Sequence, residues 1–293
     1  DPVFVDINPR TLCMDDREII SKLTGKTKAV FMTHVQGFNG LTDRLIKILE
    51  EREIPLIEDV CESHGATFKG NKLGSYGLIS NFSYYYAHHM STIEGGMVCT
   101  NDEIIYESMR MLRSHGMVRE ALNGELKNKY IAENPDLCPD FIFAYPAYNV
   151  RNTEIGAVIG RNQLKRLDEN NKKRRENFNF FLDNLDSEKY RTDFNLEGSC
   201  NYAFNLVLKK ADFELRDRVE QVLSKAGVEF RRGSSGGGNQ MRQPYLRNII
   251  NDKEWEKYPV VEHIHFFGYY IGNYPDLEKN KILRLCSLLN SCE

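Results

Sequence analysis

The 293-residue chain lacks both a strong excess of charge and a long apolar run. It has 39 basic and 42 acidic side chains and a formal net charge of −3, which gives no basic surface for DNA or anionic lipid. No apolar run approaches the roughly 18 residues that a membrane-spanning helix needs. The sequence therefore predicts that the protein binds neither nucleic acid nor membrane.

Cysteines are scattered, and none has the CxxC spacing of a metal or redox site. The seven cysteines, in a chain of this size, indicate reduced thiols in a cytoplasmic protein. The sequence therefore predicts no metal site, neither zinc nor iron–sulfur.

Short apolar runs alternate with amphipathic stretches through the first half of the chain. Strand-like runs occur at 28–33, 55–59, 79–86 and 96–100, with helical spacing at 41–51 and 102–113. Strands separated by such helices imply right-handed crossovers and a mostly parallel sheet. Near residue 186 the pattern changes to a strand, a helix and a further strand. We predict an α/β protein with a large domain at 1–185 and a smaller α+β domain at 186–293.

The chain begins with Asp1-Pro2-Val3-Phe4-Val5, which has neither an initiator methionine nor the features of a signal peptide. The segment is typical of the interior of a strand. We therefore expect the chain to be a piece of a longer protein.

Two predicted strands end in polar residues. The run at 55–57 leads into Glu58 and Asp59, and the next strand carries Ser83 and is followed by His88 and His89. Ligands of open α/β sheets bind beyond the carboxyl ends of the strands. A carboxylate there can hold a protonated ring nitrogen, or it can cap a loop.

The adjacent histidines are compatible with a base, a metal ligand or simple packing. Neighbouring side chains on an extended segment point in opposite directions, so His88 and His89 are not expected to bind one metal together.

The order and spacing of these residues resemble one family. Residues 57–66 read Ile-Glu-Asp-x-x-Glu-x-His-Gly-Ala. They are followed by Ser83, His88 and the Glu-Gly-Gly turn at 94–96, and then by Tyr-Asn-Val-Arg-Asn-Thr-Glu at 148–154. This pattern resembles the DegT/DnrJ/EryC1/StrS family over nearly the whole chain. The resemblance implies a pyridoxal-phosphate enzyme that acts on nucleotide-linked keto sugars and has the type I, aspartate aminotransferase-like fold.

The same resemblance implies four residues that bind pyridoxal 5′-phosphate or pyridoxamine 5′-phosphate. Asp59 would pair with the pyridine nitrogen, Glu62 would lie beside the ring hydroxyl, and Ser83 would donate a hydrogen bond to the phosphate. Asn149 would reach the phosphate of the neighbouring subunit, which implies a homodimer with shared active sites.

His88 stands where aminotransferase members carry the lysine that links covalently to the cofactor. An imidazole cannot form that link, but a histidine side chain, with an ordinary pKa near 6.5, can accept and return protons. The exchange resembles the 3-dehydratase branch of the family, which uses a nucleotide-linked 4-keto-6-deoxyhexose and an amino donor such as glutamate. A subtype with an iron–sulfur cluster needs closely spaced cysteines, and residues 116–137 contain none.

Two other functions stay open at this point. A 4-aminotransferase would need a lysine that reaches the cofactor, and Lys69 and Lys72 lie outside the motif. A catalytically inactive homologue that only binds a sugar nucleotide is the second alternative.

A glycine-rich segment near residue 237 is a candidate for substrate binding. Its glycines permit close backbone approach, and we expect Asn239 and Arg242 to face the substrate, with Arg242 placed to meet a diphosphate. A flexible surface turn is the alternative interpretation of this segment.

Overall fold

The computed structural model describes residues 1–292; Glu293, the last residue of the predicted small domain, lies outside them. The strands are β1 (Val30–Thr33), β2 (Leu56–Asp59), β3 (Thr67–Phe68), β4 (Asn71–Lys72), β5 (Ile79–Ser83), β6 (Gly96–Thr100), β7 (Ala203–Val207), β8 (Phe230–Arg232) and β9 (Gly268–Gly272). The helices are α1 (Asp16–Lys22), α2 (Asp43–Glu51), α3 (Glu103–Leu112), α4 (Gly124–Glu133), α5 (Glu154–Leu164), α6 (Leu167–Asn184), α7 (Phe213–Lys225), α8 (Pro259–Phe267) and α9 (Lys279–Asn290).

The main sheet has the order β1-β2-β5-β6. β1, β2 and β5 are parallel, and β6 is antiparallel to β5. The prediction of an α/β protein with a mostly parallel sheet is therefore confirmed. The run predicted at 79–86 forms a strand only as far as Ser83, and the three tyrosines that follow lie in a loop.

Side-chain caps explain where several helices begin. Thr42 accepts a hydrogen bond from the Leu45 backbone at 3.1 Å, and Asp102 accepts one from Ile105 at 2.8 Å. Each cap satisfies a backbone N–H that the first turn of a helix leaves unpaired. No helix within residues 1–292 has both the length and the apolar character that crossing a bilayer requires.

The later part of the chain forms an antiparallel sheet in the order β7-β9-β8. Aromatic rings join it to α6, since Phe181 and Phe178 stack on Phe204 of β7 with ring centroids 4.6 and 6.2 Å apart. The buried cluster also includes Leu45 of α2 and Leu285 of α9, so the core draws on both parts of the chain. The division between residues 185 and 186 stays a prediction.

A buried carboxylate ties three strands of the main sheet together. Glu58 of β2 has no exposed side-chain surface. It accepts hydrogen bonds from the backbones of Gly74, Tyr76 and Gly77, at 2.7–2.8 Å, in the turn that leads to β5. Its other neighbour is the His34 imidazole, 3.3 Å away just after β1. Burial alone would raise the pKa of Glu58, but the hydrogen bonds from His34, Gly74 and Gly77 outweigh burial and hold the pKa below its ordinary value.

We expect Glu58→Ala to lower the free energy of unfolding by about 3 kcal/mol or more, because three buried N–H groups lose their acceptor. Urea denaturation measures the loss. Since the folded-state pKa of Glu58 is lowered, its ionic contribution is present above the unfolded pKa and is lost as the pH falls. The difference in the free energy of unfolding between Glu58→Ala and the parent should therefore become smaller at acidic pH.

Glu50→Ala is the matched control, because Glu50 is an exposed acid of α2; we expect a change within about 0.5 kcal/mol. Equal stability of the Glu58 and Glu50 variants would contradict the role assigned to Glu58.

Candidate active site

Asp59 lies at the carboxyl end of β2, opposite Asn81 of β5. Its Oδ1 accepts hydrogen bonds from the Cys61 backbone at 3.1 Å and from Asn81 Nδ2 at 2.9 Å. Within residues 1–292 the Oδ2 atom accepts no hydrogen bond. The side chain is thus fixed in orientation while one carboxylate oxygen is left to hold a cationic nitrogen.

Glu62 joins the loop after β2 to three other segments of the chain. One oxygen accepts from the Gln36 backbone at 2.9 Å, and the other accepts from the Tyr202 hydroxyl at 3.1 Å. The Ser235 hydroxyl also donates to this carboxylate. Burial first, and then the charge of Glu62, raise the pKa of Tyr202 far above its ordinary value, so this phenol keeps its proton.

Ser83 is the last residue of β5 and pairs with Gly96 of β6. The loop between these two strands is closed by backbone hydrogen bonds of 2.9 Å from Tyr84 to Gly95 and from Thr92 to Tyr84. Gly95 has φ +149°, and a Cβ there would lie 2.7 Å from Thr92 Oγ1, so glycine is required. The loop that carries His88 is therefore held at both of its ends.

The His88 imidazole packs among aromatic rings. The ring centroids of Tyr85, Tyr202 and His64 lie 5.6, 5.8 and 6.4 Å from that of His88. Its Nδ1 atom is buried and has no hydrogen-bond partner within residues 1–292. The neighbouring His89 also packs on His64 and Tyr202, but its Nε2 contacts the Cys200 carbonyl.

His64 lies behind this loop and is 2% exposed. Burial, followed by electrostatic interactions with the nearby His88 and Arg174 side chains, lowers the pKa of His64 to about 4. His64 is therefore a neutral ring at physiological pH.

The glycine-rich segment is anchored to α8. Asn239 Nδ2 donates to Glu262 at 3.0 Å, and Arg242 Nε lies 2.9 Å from both oxygens of the same carboxylate. The Arg242 guanidinium lies 4.9 Å from the centre of the Trp255 ring and 5.0 Å from that of Phe266. Asn239 and Arg242 therefore share Glu262 as a partner. The hydrogen bond from Ser235 to Glu62 connects the same segment to the residues at the strand edge.

Asn149 lies apart from the other proposed cofactor residues. Its side chain is exposed, and its Oδ1 accepts a hydrogen bond from Arg151 Nε at 3.1 Å. Nearby, the exposed apolar side chains of Ile93, Ile155 and Leu164 line a groove of about 430 Å³. The structure thus brings Asp59, Glu62, Ser83 and His88 to one edge of the sheet and leaves Asn149 on the surface.

Sequence reasoning did not identify three residues that shape this site. Tyr202, Ser235 and Glu262 have no motif around them, and their importance comes from partners far away in the chain. The largely apolar run at 202–208 predicts a strand that begins at Tyr202, but it gives no sign of the contact with Glu62.

Comparison with known proteins defines the class: this is a protein of the pyridoxal-phosphate-dependent aminotransferase fold. An Escherichia coli GDP-4-keto-6-deoxy-D-mannose-3-dehydratase with bound hydrated PLP has a TM-score of 0.83 at 31% identity, over 98% of this chain and 73% of that one. The family model described as DegT/DnrJ/EryC1/StrS aminotransferase family matches residues 1–290. The chain belongs to this family and is a pyridoxal-phosphate-dependent enzyme.

Relatives within the family differ in their activities. GDP-4-keto-6-deoxy-D-mannose 3-dehydratase of Escherichia coli O55:H7 is 33% identical over 92% of this chain and 69% of its own length. A 3-dehydratase structure with a trapped PLP-glutamate geminal diamine has a TM-score of 0.78 at 30% identity, over 98% of this chain and 74% of that one. The aminotransferase from Psychrobacter cryohalolentis has a TM-score of 0.81 at 26% identity, over 99% of this chain and 74% of that one.

We expect Glu262→Ala to loosen the segment at 236–243, because Asn239 and Arg242 both lose their anchor. A charge-assisted pair of this kind contributes about 1.4 kcal/mol after allowance for partial exposure, which corresponds to about tenfold faster amide exchange. Hydrogen–deuterium exchange with mass spectrometry measures the rate.

Glu256→Ala removes an exposed acid close by in the sequence and should leave the exchange rate unchanged. The anchoring role would be refuted by equal protection of the segment at 236–243 in the Glu262 variant and the parent.

Proposed function

We propose that the protein is a 3-dehydratase that removes the C3 hydroxyl from a nucleotide-linked 4-keto-6-deoxyhexose, with His88 as the base. The proposal rests on His88, which lies in the loop between β5 and β6. Its imidazole has a buried, unpartnered ring nitrogen and packs against Tyr85, Tyr202 and His64.

The lysines nearest in sequence support this choice over a 4-aminotransferase. Lys72 Nζ lies 2.6 Å from Asp168, and Lys69 is paired with Asp43. Both ammonium groups are engaged in ion pairs on the surface, so neither is directed at the strand edge.

The side chains at the strand edge fit the cofactor that we propose for them. Asp59 has one unengaged oxygen for a protonated pyridine nitrogen, and the hydroxyl of Ser83, at the end of β5, would donate a hydrogen bond to a phosphate. Glu62 would lie beside the ring hydroxyl, oriented by Gln36, Tyr202 and Ser235. When bound, pyridoxamine phosphate supplies an amine for the C4 ketone and a ring that accepts electrons.

The residues of this chain then hold and move protons. Asp59 keeps the ring nitrogen protonated. His88 takes a proton on Nε2 and returns it to the leaving C3 oxygen, as a general base and then a general acid. With glutamate as the amino donor, the sugar loses one oxygen, glutamate becomes 2-oxoglutarate and ammonia is released.

Substrate binding is assigned to the glycine-rich segment. Glu262 fixes Asn239 and engages Nε and Nη2 of Arg242, which leaves Nη1 of Arg242 to donate to a diphosphate. GDP-4-keto-6-deoxy-D-mannose, named in the relative's activity, is the first substrate to test.

A homodimer with shared active sites completes the proposal. Asn149 is exposed, three residues before Asn152, which lines the apolar groove, and exposed apolar surface of this kind is typical of protein interfaces. A second copy covering the groove would bring Asn149 to the cofactor phosphate of its partner.

We expect His88→Asn to lower ammonia release at least about a hundredfold, because the amide cannot act as a base. The assay uses the full-length protein with pyridoxal phosphate, glutamate and the sugar nucleotide. His115→Asn is the control, since His115 is exposed and has φ +59°, which asparagine tolerates. Undiminished ammonia release by His88→Asn would overturn the assignment of the base.

We expect borohydride to fix no cofactor to a lysine of the parent, whereas His88→Lys should gain one covalently attached cofactor. Intact-mass spectrometry of the reduced proteins measures this. A lysine adduct in the parent would favour the aminotransferase instead. A full-length protein whose cofactor absorbance did not respond to glutamate would favour the inactive homologue.

A further inference from the structure

Two buried histidines lie on the inner side of His88. His64 and His89 are 2% and 4% exposed, and their ring centroids are 5.7 Å apart. His64 also faces His88 edge-on, with centroids 6.4 Å apart and the ring planes at 74°. The described residues thus contain a cluster of three imidazoles, of which only His88 borders the proposed active site.

The protonation of His89 follows from its surroundings. Its Nε2 contacts the backbone carbonyl of Cys200, which can only accept, so Nε2 carries the hydrogen. Burial, and then the positive charge of Arg174, hold the pKa of His89 well below its ordinary value. His89 is therefore neutral and has a bare Nδ1, which cannot donate to its neighbours.

His64 is also neutral, and both of its nitrogens are buried without hydrogen-bond partners within residues 1–292. A neutral imidazole has one N–H donor and one nitrogen acceptor. Buried polar atoms are almost always hydrogen-bonded, so two unpartnered nitrogens point to an ordered water beside the ring.

His88 needs an acceptor on its inner side. If Nε2 is the atom that takes the proton in the reaction, the neutral ring must carry its hydrogen on Nδ1, the buried and unpartnered atom. The Tyr202 hydroxyl donates to Glu62, and Tyr85 is 37% exposed. Among the three rings packed on His88, only His64 is fully enclosed and has its polar atoms unengaged.

The spacing fits one bridging water. With centroids 6.4 Å apart, the nearest nitrogens of two imidazole rings lie about 4 Å or more from each other, beyond direct hydrogen-bond reach. A gap of this size between two polar atoms is typical of a water-mediated hydrogen bond.

We propose that His64 is a positioning residue that fixes the tautomer of His88. Through one buried water, His64 accepts a hydrogen bond from His88 Nδ1–H and leaves Nε2 bare toward the substrate. Its position resembles that of the orienting acid in a hydrolytic triad, but a neutral ring orients His88 without placing a negative charge beside it. This inference rests on the proposed role of His88 as the base.

The test is the tautomer of His88, read from long-range ¹H–¹⁵N spectra of full-length protein labelled at histidine. His88→Asn identifies the signals of His88 by their absence. We expect a hydrogen on Nδ1 in the parent, a mixture of tautomers in His64→Leu, and the parent tautomer in His64→Gln, whose amide oxygen still accepts. His115→Gln serves as the control and should leave the His88 signals unchanged.

Turnover provides a second measurement. His64→Leu should lower kcat by about 10- to 100-fold, in the range seen when a residue that orients a functional histidine is removed, with little change in KM for the sugar nucleotide. His64→Gln should recover most of this loss.

A hydrogen on Nε2 of His88 in the parent would overturn the inference, as would identical tautomer ratios in the parent and His64→Leu. If His64→Leu does not fold, the tautomer of His88 in the parent and in His64→Gln still tests the inference. Full ammonia release by His88→Asn would instead refute the proposed function and leave the tautomer measurement standing, so the two failures are distinguishable.

Discussion

The buried Glu58 carboxylate is the interaction on which the arrangement of the site depends. It bonds to the turn before β5 and faces His34 just after β1, while its own residue belongs to β2. Three parallel strands are thereby fixed relative to one another, and their carboxyl ends meet at one edge. Asp59 and the loop that carries His88 are placed by that common edge, so the fully buried Glu58 determines where the proposed active-site residues lie.

A second set of contacts joins residues that lie far apart in the sequence. Glu62 receives hydrogen bonds from Gln36, Tyr202 and Ser235, which joins the strand edge to the antiparallel sheet and to the glycine-rich segment. Glu262 then holds the far end of that segment through Asn239 and Arg242. The residues that we propose for cofactor and substrate binding are in this way linked by two carboxylates, each of which fixes a different part of the chain.

Much of this architecture could be predicted from sequence, because parallel strands between helices place polar residues at one edge. Asp59, Ser83 and His88 follow directly from that rule and from the family pattern. Tyr202 and Ser235 could not be predicted, since they contact Glu62 across 140 and 173 residues and no local periodicity encodes such a contact. The helix α4 lies in the poorly periodic segment at 116–148 and has no buried residues, so it lacks the amphipathic signal by which helices are recognised.

We propose that a histidine at position 88, where aminotransferases of this family carry a lysine, turns the fold toward loss of a hydroxyl group. Mass spectrometry of the sugar nucleotide after incubation with full-length protein, pyridoxal phosphate and glutamate tests it most directly. The account predicts a product that has lost one oxygen atom and contains no nitrogen at C4. A product in which the C4 ketone has become an amine, with the C3 hydroxyl retained, would contradict it.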